Sequence, residues 1–422
     1  PVRTLMASRL LGVYLMGLMY AAVVIVPAVI VYWMRVSAAP MAILGGVLLT
    51  VLISAFVLTL SCALGWLVAK VSRKLKRKNF ITVIVSLAGI AVYYFFVFKA
   101  QTALEALVAN AALYGEKIKG AAYPLYLVGC VGTGDGRAML LVTLIVVALF
   151  ALMWALLAHS FLKLSTATGA SGHAVYRERT LKRQSADAAL FQKELARFTA
   201  SPNYMLNCGL GILLLPVAGV ALVIKGGELL PLLQMAFGNR GGCAEVLLCT
   251  GVCTIAAMND MATPSVSLEG KNLWLAQSLP VTPWQVLRAK LKVQLALTAI
   301  PAFVPLVCMV LVLPLTPALP LIFVTALSYI AFSACLGLTL GVMRANLTWT
   351  NELAPVKQSL AVAIAMFGGW AYALLLAGLY LLLGWRIGAA VYLALVSAAT
   401  IAAALALLKW LKTKGAQRLA AL

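Results

Sequence analysis

Charge is what this sequence has least of. Asp and Glu number 11 in 422 residues, all charged types together make up 10%, and there are two histidines. Soluble chains carry roughly a quarter of their residues as charge, so this supply cannot cover a solvated surface. A soluble fold is excluded. The same shortage thins the possible chemistries. His159 closes an apolar run and His173 lies in a polar linker, and neither has a triad or zinc partner. The phosphate-cradling pattern G-x-x-x-x-G-K-[ST] does not occur. Gly132-Thr133-Gly134-Asp135-Gly136 lacks its lysine and reads as a flexible turn. No C-x-x-C pair exists, and Cys249 and Cys253, one helical turn apart, have no histidine or carboxylate beside them to complete a metal site. Of the eight cysteines, Cys130 and Cys243 fall near one surface, where a pair is an open alternative. No catalytic, cofactor or metal site is expected on this chain.

What the sequence has in place of charge is apolar length. Sixty-four per cent of it is hydrophobic, against about half in soluble proteins. A span of roughly 30 Å of hydrocarbon takes about 20 helical residues. Ten stretches meet that need: 10–33, 40–69, 80–98, 139–162, 205–224, 241–259, 293–313, 318–343, 359–383 and 387–408. They lack the strict alternation of barrel strands. The expectation is an all-α polytopic membrane protein. The net charge of +22 fits topology better than a nucleic-acid partner. With the N-terminus placed inside, parity leaves 25 of the 33 Lys and Arg on the cytoplasmic side, as the positive-inside rule requires. The eight outside are Arg35, Lys99, Lys117, Lys119, Arg137, Lys225, Arg240 and Arg386. Both ends are therefore expected in the cytoplasm, and the basic run 70–78 reads as an anchor on anionic lipid of the bilayer.

The chain divides around its most polar stretch. Residues 1–163 form a first transmembrane part, 164–187 a basic linker, and 188–422 a second part. The second part opens on an amphipathic helix at 188–199, with Leu190, Phe191, Leu195 and Phe198 on one face and Lys193, Glu194 and Arg197 on the other. A repeat in one orientation links the parts. Pro1, Leu5 and Ala7 recur as Pro283, Leu287 and Ala289, and Phe56, Leu64, Gly65 and Ala69 as Phe332, Leu340, Gly341 and Ala345. About a hundred residues and two spans precede Pro283 in the second copy and have no counterpart before Pro1. The reading is a first repeat without its front and a parent of twelve spans.

Two segments resemble a family. Gln192-Lys193-Glu194-Leu195-Ala196-Arg197-Phe198 with Ser201-Pro202-Asn203-Tyr204 resembles the entry helix of bacterial ATP-binding cassette (ABC) exporter permeases of the type-2 class. Ser267-Leu268-Glu269-Gly270-Lys271-Asn272-Leu273-Trp274 with Ser278-Leu279-Pro280-Val281-Thr282-Pro283 is similar to the loop after the second span in large, duplicated permeases of that kind. The resemblance implies a permease in the bacterial cytoplasmic membrane with no ATPase of its own. ATP and Mg would sit on separate ABC ATPase subunits, two per duplicated permease. It makes 260–292 a cytoplasmic coupling loop. Trp274 and Leu273 would anchor in the ATPase, Glu269 and Lys271 would form a polar rim around Gly270 and Asn272, and Leu279, Pro280 and Pro283 would hold the shape. Pro1 and Arg3 would end the equivalent loop of the first repeat. The residues themselves allow two readings: a short aromatic helix on a basic stem that docks into a partner groove, where aromatic anchors usually dominate, or one that lies on lipid.

Few ionisable groups enter the spans, where each is costly. Glu245 is expected near the outer boundary, paired with Arg240 or facing a cavity, and Asp260 at the inner surface as the cap of a short helix from about Met261. Gly337 with Gly341 is a small-xxx-small step, and Pro216, Pro301 and Pro305 are expected to interrupt helices. So little charge along the spans suits a hydrophobic or amphipathic substrate better than an ion. A secondary transporter is the alternative, although such folds place ionisable residues at mid-membrane. A membrane-embedded enzyme would need a His, Asp or Glu cluster that the sequence lacks.

Overall fold

A backbone that leaves water must satisfy its own N–H and C=O groups within the segment, which favours helices in apolar runs. A computed structural model describes residues 2–35, 39–72, 78–109, 119–120, 123–165, 184–237 and 241–422. Every regular element among them is helical. Nine helices among the described residues are long and apolar enough to cross a membrane. The chain forms two compact units, Pro1–Glu178 and Arg179–Leu422.

The first unit contains α1 (Val2–Arg35), α2 (Pro40–Ser72), α3 (Lys78–Ala109), α4 (Tyr123–Thr133) and α5 (Gly136–Ser165). Helix α2 lies against α1, α4 and α5. Leu52, Val131, Met139 and Val142 are buried between them. Trp66 Nε1 donates to Ser160 Oγ at 2.9 Å and ties α2 to α5. The glycine-rich turn joins α4 to α5, with Gly134 at φ 91°, a conformation that only glycine adopts readily.

The second unit opens with α6 (Ala186–Ala200) and α7 (Pro202–Cys208). Next come α8 (Leu210–Phe237), α9 (Cys243–Ala256) and α10 (Ala262–Ser265), and a tight helical stretch, Ser267–Asn272, leads into α11 (Leu273–Ser278). Helices α12 (Pro283–Val312), α13 (Ala318–Met343), α14 (Leu353–Lys357), α15 (Leu360–Leu382), α16 (Ala389–Trp410) and α17 (Ala416–Ala421) complete it. Helix α13 is the hub, touching α9, α10, α12, α15 and α16. Its Tyr329, Ile330 and Leu338 are fully buried.

Three spans differ from expectation. Stretch 241–259 is not one crossing. Helix α9 has 14 residues, about 21 Å at 1.5 Å per residue, short of the roughly 30 Å needed. The chain continues through residues 257–270, all but the half-buried Met258 being buried, the setting in which irregular backbone is tolerated. Stretch 205–224 breaks at Gly209 and runs on as α8 to Phe237. The prolines do not end helices. Pro216 lies inside α8, and Pro301 and Pro305 inside a continuous α12. A Cβ on Gly219 would stand 2.8 Å from Pro305 Cα, so α8 and α12 close together at their small or ring-shaped residues.

Candidate functional site

Helix α6 begins at Ser185, whose side chain accepts from Ala188 N at 3.3 Å. It ends at Ser201, which in turn caps α7 by accepting from Tyr204 N at 3.2 Å. Leu190 and Phe198 are buried, as their periodicity predicts, but so is Glu194. The helix packs along α12, and that neighbour explains the burial. Lys290 of α12, its ammonium fully enclosed, donates to Glu194 Oε2 at 2.9 Å, Glu269 Oε1 at 2.8 Å and Ser265 O at 3.1 Å. Glu269 also accepts from Arg197 at 2.6 Å and from Lys193 at 3.0 Å. Two carboxylates and three cations from α6, the 267–272 stretch and α12 thus form one cluster. Nearby, Arg288 donates to Asp187.

The electrostatics follow from the geometry. Burial drives Glu269 towards its neutral form, but Lys290, then Arg197 and Lys193, outweigh it and hold the carboxyl well below the usual range. Burial would lower the Arg197 guanidinium, and the hydrogen bond to Glu269 and the nearby carboxylates raise it instead. The hydrogen bond from Arg288 keeps Asp187 below the ordinary carboxylate value.

Segment 260–292 divides into a buried base and an exposed tip. Glu269, at 3% exposure, is no surface rim, because its carboxylate is the centre of the ion cluster. Leu273, 4% exposed, packs into the chain's own core with Val286 and Leu287 and is closed to a partner. Gly270 is buried at φ 55°, with the Trp349 ring 3.4 Å from where a Cβ would stand. Lys271, Asn272 and Pro280 are exposed and Pro283 is half-buried. Trp274, 60% exposed, stands out with Leu275 and Leu279. Thr282 and Gln285 cap α12 reciprocally, with Pro283 at its first turn. Pro1 and the Arg3 side chain lie outside the described residues.

Next to the ion cluster in sequence, the buried loop after α9 is held by groups the sequence reading missed. Gln294 Oε1 accepts from Met261 N at 2.6 Å and Ala262 N at 3.1 Å, and its Nε2 donates to Asn259 O. Tyr204 OH donates to Met261 O at 2.5 Å, and Asp260 N to Cys208 O at 3.1 Å. A glutamine four residues after Lys290 on the same face of α12 was the available signal. Asp260 is not the cap of the short helix, whose N-cap is Met261 without a side-chain bond; its carboxylate accepts instead from the Thr263 hydroxyl at 2.5 Å, and it is buried rather than at the surface. Gly337 and Gly341 receive Thr263: a Cβ on Gly337 would stand 2.5 Å from its hydroxyl, and one on Gly341 would strike its carbonyl.

Glu245 is buried in the first turn of α9, where a helix N-terminus favours a negative charge. It borders a cavity of about 190 Å³ with Gln234, Gly241 and Pro314. Arg240 lies outside the described residues. All eight cysteines are free thiols in the structure. Among the described residues no three His, Cys, Asp or Glu side chains gather as metal ligands.

Nine long apolar helices among the described residues define a multi-pass helical membrane protein. The chain belongs to the family described as "Membrane protein of 12 TMs", which matches residues 1–410. No curated protein and no solved structure matches it.

Proposed function

We propose that the chain is the membrane-spanning permease subunit of an ABC transporter, exporting a hydrophobic or amphipathic substrate and driven by separate ATPase subunits. ATP and Mg belong to those subunits, two per duplicated permease. Both chain ends face the cytoplasm of a bacterial cell in this reading. One observation carries it: an exposed aromatic tip, Trp274 with Leu275 and Leu279, stands on a base that buried ion pairs fix to α6 and α12. A push on α11 would pass at once to a helix that lies along the membrane surface and to one that crosses it. An exposed apolar tip on a polar, rigid stem is the kind of patch that marks a partner.

The test is Trp274→Ala in the complex isolated with its ATPase. Loss of a central aromatic anchor commonly costs about 2 kcal/mol or more, and about 1.4 kcal/mol is one decade. Partner affinity should fall well over tenfold, while the unfolding temperature of the permease stays unchanged because the ring is exposed. Normal co-purification and normal transport would remove α11 as the docking element. An ion-coupled transporter without an ATPase is the second reading, and buried Asp260 is the observation that favours it.

A further inference from the structure

Asp260 stands in the loop between α9 and α10, outside the spanning helices, and its surroundings are unusual for a carboxylate. One oxygen, Oδ1, accepts from Thr263. The other, Oδ2, is buried with no hydrogen-bond partner. The elements packed on this loop bring neutral or already engaged groups to it. Helix α7 brings Tyr204 and Cys208, and α13 brings Tyr329, all within electrostatic reach. Helix α13 also presents Gly337, whose absent side chain leaves the space that Oδ1 occupies, 2.8 Å from the position of a Cβ. Helix α12 brings Gln294, which is occupied with the backbone of Asn259, Met261 and Ala262. Helix α15 brings Gly369 against Ala257. Lys290, one turn from Gln294, is taken by Glu194, Glu269 and Ser265 O. No cation among the described residues bonds to Asp260, whereas Glu194 and Glu269 have three.

We propose that Asp260 is a proton-binding site built into the buried loop between α9 and α10, taking a proton from water onto its free Oδ2 and releasing it again. The step is a plain equilibrium, a carboxylate plus a proton giving a carboxylic acid, and it needs no other reactant. An ionised, unpaired carboxylate is costly in a buried setting, and the proton removes that cost. Burial pushes Asp260 up to about 6, and the hydrogen bond from the Thr263 hydroxyl draws it only partly back. The site is therefore poised where modest changes of pH alter its charge. It stands whether or not an ATPase drives the protein.

The chain has three aspartates, Asp135, Asp187 and Asp260, which makes the test specific. The full chain, labelled with ¹³C at the aspartate carboxyl carbons, is placed in phosphatidylcholine vesicles and its carboxyl bands are followed by infrared spectroscopy across pH. Asp135 is exposed and Asp187 is held down by Arg288. One labelled carboxyl should therefore remain protonated above the ordinary aspartate range and titrate near pH 6. Asp260→Asn should abolish that band. If that variant does not fold, Asp135→Asn with Asp187→Asn should leave the same band intact in the chain's single remaining aspartate. Three carboxyls all ionised by about pH 5, roughly one unit above the reference aspartate value, would overturn the proposal. So would a high-titrating band that survives Asp260→Asn.

Discussion

Lys290 shows how a buried charge is tolerated. Its ammonium is completely enclosed yet donates to two carboxylates and a backbone carbonyl. Desolvating a lysine costs several kcal/mol, and only close partners that use all three donors offset it. Removing one partner is therefore worse than removing the set. Glu269→Gln should destabilise the second unit by about 3–5 kcal/mol, because it leaves Glu194 as the one carboxylate facing Lys290, Arg197 and Lys193, while replacing Glu194, Glu269, Lys290 and Arg197 together by apolar residues of similar size should cost far less. Denaturant unfolding of the purified chain measures both. The pH dependence has a definite sign. Glu269 is depressed on folding, so its contribution is present above the unfolded carboxylate value and is lost as pH falls through the folded one. The difference in unfolding temperature between wild type and Glu269→Gln should be flat from about pH 8 to about pH 5 and shrink in stronger acid.

At the scale of elements, the buried loop after α9 is the distinctive piece. Its irregular backbone is paired by Gln294 and Tyr204 and seated on the glycines of α13. Gly341→Ala should destabilise the unit, since the new Cβ would meet the backbone of Thr263, which cannot swing away. Gly368→Ala, with nothing within 4 Å of its Cβ position, should be neutral or slightly stabilising. Thermal unfolding of the two variants in one detergent separates these outcomes. The long helices were legible because length and hydropathy alone decide whether a segment spans. The amphipathic face of α6 was legible in part: Leu190 and Phe198 point inward as their spacing requires. Glu194 was misjudged because a polar stripe reads as solvated until a second helix brings Lys290 to it from 96 residues away. The break in 241–259 was hidden for a related reason. Asn259 and Asp260 look like a span ending, and nothing local shows that Gln294 continues their hydrogen bonding inside the fold.

At the scale of the whole molecule, the fold has two units, each helical among the described residues, and the charge pattern is the basis of the proposed orientation. The proposed topology, drawn from the 25 basic residues assigned to one side, has positions 70–79, 163–204, 260–292 and 344–358 in the cytoplasm. Single cysteines introduced at Lys76 and Lys182 in a cysteine-free chain should resist an impermeant thiol reagent added to intact cells and react once the membrane is opened. Reaction from outside at either position would reverse the topology. The proposed function rests on what meets Trp274, whose ring is more than half exposed beside Leu275 and Leu279. The direct measurement is a photoreactive phenylalanine in place of Trp274, illuminated in native membranes and analysed by mass spectrometry. The account predicts an adduct with a separate subunit carrying the phosphate-cradling loop that this chain lacks. Adducts with lipid alone would contradict it and leave α11 as a helix resting on the membrane.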